Sequence, residues 1–112
     1  MAAFYSGVAG LPETHTQSDH VVLEASGFQL VVLAVPLRIA ASIHISSPPE
    51  RREDTPIKLV FAVGSLAAAR TAAQRLGGEL NSIEREWEFQ GSRVCDGVDP
   101  EGNVFQLRQH AP

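Results

Sequence analysis

Asp99-Pro100-Glu101-Gly102-Asn103-Val104-Phe105-Gln106-Leu107-Arg108 reads as a turn that launches a strand. Asp-Pro opens a tight turn, Gly102 and Asn103 tolerate positive φ, and the following residues alternate with the period of two of a half-buried strand. Phe105 and Leu107 mark the face that packs under helices. Val104, Gln106 and Arg108 then mark the opposite face, with a polar side chain at its centre.

Working back from this strand, residues 57–63 (Ile-Lys-Leu-Val-Phe-Ala-Val) have strand composition, and Leu59, Phe61 and Val63 share one face. Ser65 is placed to cap a helix in which Leu66, Ala69, Ala73 and Leu76 recur at helical spacing until Gly77-Gly78 stops it. Strands are expected over residues 80–83, 91–98 and 104–109, so the second half reads β-α-β-β-β. Residues 84–90 are too charged for core, although they include Trp87 and Phe89.

The first half repeats the order. A short helix over residues 2–9 ends at Gly10, residues 11–18 form a polar edge strand or loop, and residues 19–25 and 28–35 form a hairpin about Ser26-Gly27. Those two apolar strands are expected to be central. Phe28-Gln29-Leu30 echoes Phe105-Gln106-Leu107, which together with the shared element order points to an internal duplication. Residues 37–45 read as a further extended arm. Residues 46–56, with three prolines and a charged run, are the connector between module one (1–45) and module two (57–112). Module two opens with a strand, whereas module one begins almost inside its helix. Either that strand is omitted, or the fold closes without it, using a partner chain, because an exposed sheet edge is normally avoided.

The chain has 112 residues, 44% hydrophobic and 20% charged, which suits one compact domain over 1–112. A net charge of -4 without a Lys/Arg cluster argues against nucleic acid and against a basic membrane surface. No stretch has the length or flanks of a signal peptide or membrane span, so a cytoplasmic location is expected. The one cysteine, Cys95, forms no intrachain disulfide and reads as a buried structural thiol.

The chain resembles the vicinal oxygen chelate superfamily, which includes glyoxalase I, extradiol dioxygenases and bleomycin resistance proteins. The resemblance rests on residues 3–11 with their aromatic pair Phe4-Tyr5, on Val63-Gly64-Ser65-Leu66 with Leu76-Gly77-Gly78, and on the hairpin of residues 99–107. It implies an α+β fold of paired βαβββ modules forming a curved half-barrel sheet, helices outside, around a cavity, commonly as a homodimer. It also implies that metal ligands of the family's enzymes fall at Val32, Lys58 and Gln106, with a fourth on the absent strand.

That set suits a metal poorly. Valine has no donor atom, lysine is a cation, and the glutamine amide is neutral, whereas such ions take imidazoles and carboxylates. His15, His20, His44 and His110 show no metal-binding spacing. Strand parity sends Leu30, Val32, Ala34, Lys58, Val60, Ala62, Gln106 and Arg108 toward the cavity. Lys58 and Arg108 attract an anion there, or point to solvent or pair with acids such as Glu24 or Glu101; the aromatic pair Trp87 and Phe89 packs at the mouth or against a subunit, or caps the sheet. The expected function is metal-free capture of a small anionic or aromatic molecule at Val32, Lys58, Gln106, Arg108 and Trp87. The alternatives are a divalent-metal lyase, isomerase or ring-cleaving oxygenase, or metal-free catalysis with Lys58 as base.

Overall fold

The computed structural model describes residues 1–110. Its elements are α1 (Ala2–Ala9), β1 (Glu13–Thr16), β2 (His20–Ala25), β3 (Phe28–Leu33), α2 (Leu37–Ala40), β4 (Leu59–Val63), α3 (Leu66–Arg75), β5 (Glu79–Leu80), a 3-10 turn (Ile83–Arg85), β6 (Trp87–Phe89), β7 (Ser92–Val98) and β8 (Val104–His110). They form a three-stranded sheet, β1-β2-β3, and a second sheet in the order β4-β8-β7-β5, with β6 also on β7.

The Asp99 turn joins β7 to β8. Asp99 Oδ1 accepts the backbone N–H groups of Glu101 and Asn103 at 2.9 and 3.0 Å, and Gly102 takes φ 89°, a region open to glycine without steric cost. β8 then runs antiparallel to β7 from Val104↔Val98 to His110↔Ser92, and parallel to β4 from Phe105↔Leu59 to Gln109↔Val63. Parallel neighbours need a crossover, and α3 begins it with the Ser65 hydroxyl accepting the Ala68 N–H at 3.1 Å.

Phe105 and Leu107 are buried, together with Cys95, Phe61, Leu66, Ala69 and Ala73 and with Phe4, Tyr5 and Val8 of α1. Phe4, Tyr5 and Phe105 meet edge to face at 5.2–5.7 Å. Burying each such ring or leucine contributes about 1.5–3 kcal/mol, so this cluster anchors α1 to the second sheet. Gly10 closes α1 at φ 69°.

Four local expectations are corrected. β2 is central in its sheet, but β3 is an edge strand. Residues 37–40 form a helical turn, not an extended arm, because the Pro36 carbonyl accepts the N–H groups of Ile39 and Ala40. The strand expected over residues 80–83 stops at Leu80: the Arg70 guanidinium binds the Asn81 carbonyl, and the chain turns away through Ile83–Arg85. Trp87–Phe89 then returns as β6 against β7, a strand that the charge of this stretch concealed.

Candidate functional site

The face of the second sheet turned away from the helices is set by register. Val60, Gln106 and Asp96 form one cross-strand row, and Ala62, Arg108, Val94 and Trp87 form the next. Lys58 reaches this face from just before β4. Its Nζ donates to Asp96 Oδ2 at 2.8 Å, Gln106 Nε2 donates to Asp96 Oδ1 at 3.1 Å, and Arg108 Nε donates to Gln106 Oε1 at 3.2 Å. The amide of Gln106 thus links the carboxylate to the guanidinium, and Gln106 itself is buried.

Lys58 is committed to Asp96, and neither Glu24 nor Glu101 is its partner. Arg108 differs. Among the described residues its hydrogen-bond acceptors are two neutral amides, Gln106 and, at 3.3 Å, Gln90, and its guanidinium carbon lies 4.8 Å from the centre of the Phe89 ring. The ring positions the planar cation without neutralising it. Trp87 is half-exposed in the Arg108 row, so an aromatic surface flanks the charge.

Lys58, Gln106, Arg108 and Trp87 are therefore brought to one face. Val32 is not among them. Its register partner is Val21, and its neighbour pair Leu23–Leu30 packs in or against the core, which places Leu30 and Val32 on the helix side of the first sheet. The parity expected for Leu30, Val32 and Ala34 is thus off by one, as the repeat itself implies: Phe28 and Leu30 match buried Phe105 and Leu107, and Gln29 matches Gln106. Gln29, Val31 and Leu33 occupy the open face. Val32 also lines a cleft of about 380 Å³ between β3 and β4, shared with Leu30, Leu33, Ile57, Leu59 and Tyr5.

Asp96 was missed in the sequence. A period-two count along residues 92–98 places Ser92, Val94 and Asp96 on one face, which is enough to find Asp96. Phe89 was read with Trp87 as an aromatic pair, but its place under the Arg108 guanidinium was not, because its strand was hidden.

The family's divalent metal does not fit these residues. Among the described residues no three His, Cys, Asp or Glu side chains converge as a metal cluster, and the one carboxylate at the centre of the face is already held by an ammonium and an amide. His20 bonds Asp19 and His110 contacts Ser92, both away from Asp96.

Elsewhere Glu86 bridges Arg70 and Arg93, with a contact of 2.8 Å to Arg93 Nε. Burial alone raises its carboxyl, but hydrogen bonds from Arg70 and Arg93 outweigh it and leave the group below the ordinary carboxylate range. Burial likewise pushes the Cys95 thiol up, with nearby Arg70 acting against it. Both groups lie on the helix side or at the sheet edge and brace the fold.

Two sheets built from repeated β-β-β units, each covered by a helix on one face and open on the other, define the paired-module architecture of the vicinal oxygen chelate superfamily. Residues 1–108 match the glyoxalase-like domain family, and the chain belongs to it. Among solved structures it is similar to a glyoxalase/bleomycin resistance protein/dioxygenase family enzyme from Burkholderia phytofirmans PsJN, with 20% identity over 99% of this chain and 88% of that one, at a TM-score of 0.66. A glyoxalase/bleomycin resistance protein from Albidiferax ferrireducens T118 gives 18% identity over 98% and 86%, at 0.65. The fosfomycin resistance protein FosX from Listeria monocytogenes gives 18% identity over 98% and 81%, at 0.60. At such identities the likeness shows the fold alone. No curated protein matches.

No helix among the described residues is long and apolar enough to cross a membrane.

Proposed function

We propose that this protein captures a small anionic molecule with an aromatic or planar part on the open face of the second sheet, without a metal. The observation that carries this reading is Arg108: a partly buried guanidinium, fixed over Phe89, whose acceptors are neutral amides. A carboxylate or phosphate satisfies such a cation through paired N–H donors, and Trp87 offers a ring surface beside it. Lys58 and Gln106 act on the ligand indirectly, by holding Asp96 and orienting the amide that contacts Arg108. Binding is stoichiometric and breaks no bond.

The working unit proposed is a homodimer. Its support is the exposed apolar arm, in which Leu37 is 89% and Ile43 50% exposed, a surface that a second copy would cover. The metal-dependent alternative gains no support from the face, since Lys58 and Gln106 stand where its donors would be needed.

Trp87 is the sole tryptophan, so its fluorescence reports on this face directly. Titration with benzoate and phenyl phosphate is expected to give a saturable change in the wild type, about tenfold or more weaker in Arg108→Ala, the effect of losing one charge-assisted hydrogen bond. No saturable change with either anion, or equal affinity in Arg108→Ala, refutes the assignment.

A further inference from the structure

His15 and His20 show no ligand spacing along the sequence, but the ladder of the first sheet brings them together. Thr16 pairs with Val21 and the Gln17 N–H donates to the His20 carbonyl at 2.8 Å, so residues 17–20 form a tight turn. His15, paired with Val22, therefore lies diagonally across the ladder from His20. Leu23 is buried and Val21 packs against the core, which leaves His15, His20 and Val22 on the opposite face. The two imidazole rings meet there with their centres 5.5 Å apart and their planes 33° from parallel.

The turn fixes one of these rings. The Ala34 N–H donates to the Asp19 carbonyl at 2.8 Å, which ties the turn to the end of β3, and Asp19 Oδ1 lies 2.8 Å from His20 Nδ1. That contact places the ring proton on Nδ1 and leaves Nε2 with its lone pair. The same hydrogen bond holds the Asp19 carboxyl below its ordinary range. A carboxylate behind one nitrogen of an imidazole is the arrangement that orients metal-ligating histidines and raises their basicity. The ring spacing points the same way. Two imidazoles bound to one ion at about 2.0–2.1 Å, in near-tetrahedral directions, hold their ring centres about 5–5.5 Å apart.

We propose that His15 and His20 hold one borderline divalent ion, copper(II) in preference to zinc, with Asp19 orienting His20 and water filling the remaining positions. Imidazole suits both ions, and copper(II) binds such donors more strongly. Calcium and magnesium, which take oxygen ligands, are not held. Among the described residues no third His, Cys, Asp or Glu side chain completes a cluster, so two protein donors set the affinity, below that of a four-ligand structural zinc centre. The ion bridges β1, an exposed edge strand of four residues, to the start of β2 and so fastens the rim of the first sheet. The site shares no residue with the Arg108 face and stands whether or not that face binds an anion.

Calorimetric titration of the full chain with copper(II), zinc and calcium chlorides tests the site. One copper(II) per chain is expected, with weaker zinc and no calcium. His15→Ala and His20→Ala are each expected to weaken copper(II) binding about tenfold or more, and Asp19→Ala, which keeps both imidazoles, about tenfold. Circular dichroism checks that these variants fold. Asp96→Ala and Arg108→Ala bind copper(II) as the wild type does. In proton NMR spectra, substoichiometric copper(II) is expected to broaden the ring resonances of His15 and His20 before those of His44 and His110. Absence of saturable copper(II) binding, binding unaffected by either histidine substitution, or broadening of His44 or His110 in place of His15 and His20 overturns the proposal.

Discussion

Replacing Tyr5 by phenylalanine removes one oxygen and leaves the ring packing against Phe4, Phe61 and Phe105 in place. The oxygen matters because Tyr5 Oη donates to Asp99 Oδ2 at 2.6 Å, both residues being buried, and so ties α1 to the turn between β7 and β8. Asp99 retains the N–H groups of Glu101 and Asn103 and the Asn103 amide, so the variant loses one hydrogen bond to a charged acceptor and opens no large cavity. Such a bond contributes about 1.5–3 kcal/mol. With a urea m-value of about 1–2 kcal/mol/M for a chain of this size, the midpoint falls by about 1–2 M. Burial, reinforced by the Asp99 bond, raises the Tyr5 hydroxyl pKa far above its usual value. The folded state therefore keeps a proton that the unfolded state releases above a pH of about 10, and stability falls as pH rises beyond it. Tyr5→Phe removes this contribution and makes the alkaline decline shallower, leaving the part that the buried Cys95 thiol supplies. Urea melts at neutral and alkaline pH check both effects. A midpoint within about 0.3 M of wild type, or an unchanged alkaline decline in the variant, refutes the role given to this bond.

The Glu86 carboxyl, depressed by Arg70 and Arg93, contributes stability that is present above the unfolded carboxylate pKa of about 4.3 and is lost as pH falls through its lower folded value. Glu86→Gln is expected to be less stable at neutral pH and to show a shallower acid decline in melts between neutral and strongly acidic pH; parallel curves contradict this. Cys95 is fully buried with its thiol pKa raised, so Ellman's reagent is expected to label it in urea and to leave it unlabelled in the native protein; rapid native labelling contradicts its placement.

The second module was legible because its signals are local and agree with one another. The Asp99 turn, the Ser65 cap and the alternation of Phe105 and Leu107 each specify geometry within a few residues. The first module was harder. Apolar residues on both faces of β3 leave its parity open, and the choice of Val32 for the cavity face ignored the pairing of Phe28 and Leu30 with Phe105 and Leu107. That β3 is an edge strand follows from which strands pair, a long-range fact with no local mark. β6 escaped because Glu84 to Glu88 read as solvated, whereas Glu86 is held between two arginines. The open face was half legible: Lys58, Gln106 and Arg108 followed from parity, but their ranking did not, since only the register shows that Asp96 takes Lys58 and leaves Arg108 with neutral partners.

The central claim is that the open face uses Arg108 for an anion and has no donor set for a divalent metal. Calorimetric titration of the full chain, freed of metal by chelator, with zinc, manganese and iron(II) tests it most directly. The account predicts no stoichiometric binding that depends on Asp96. One metal per chain, bound in the wild type and lost in Asp96→Ala, contradicts it and returns the chemistry of this face to a metal.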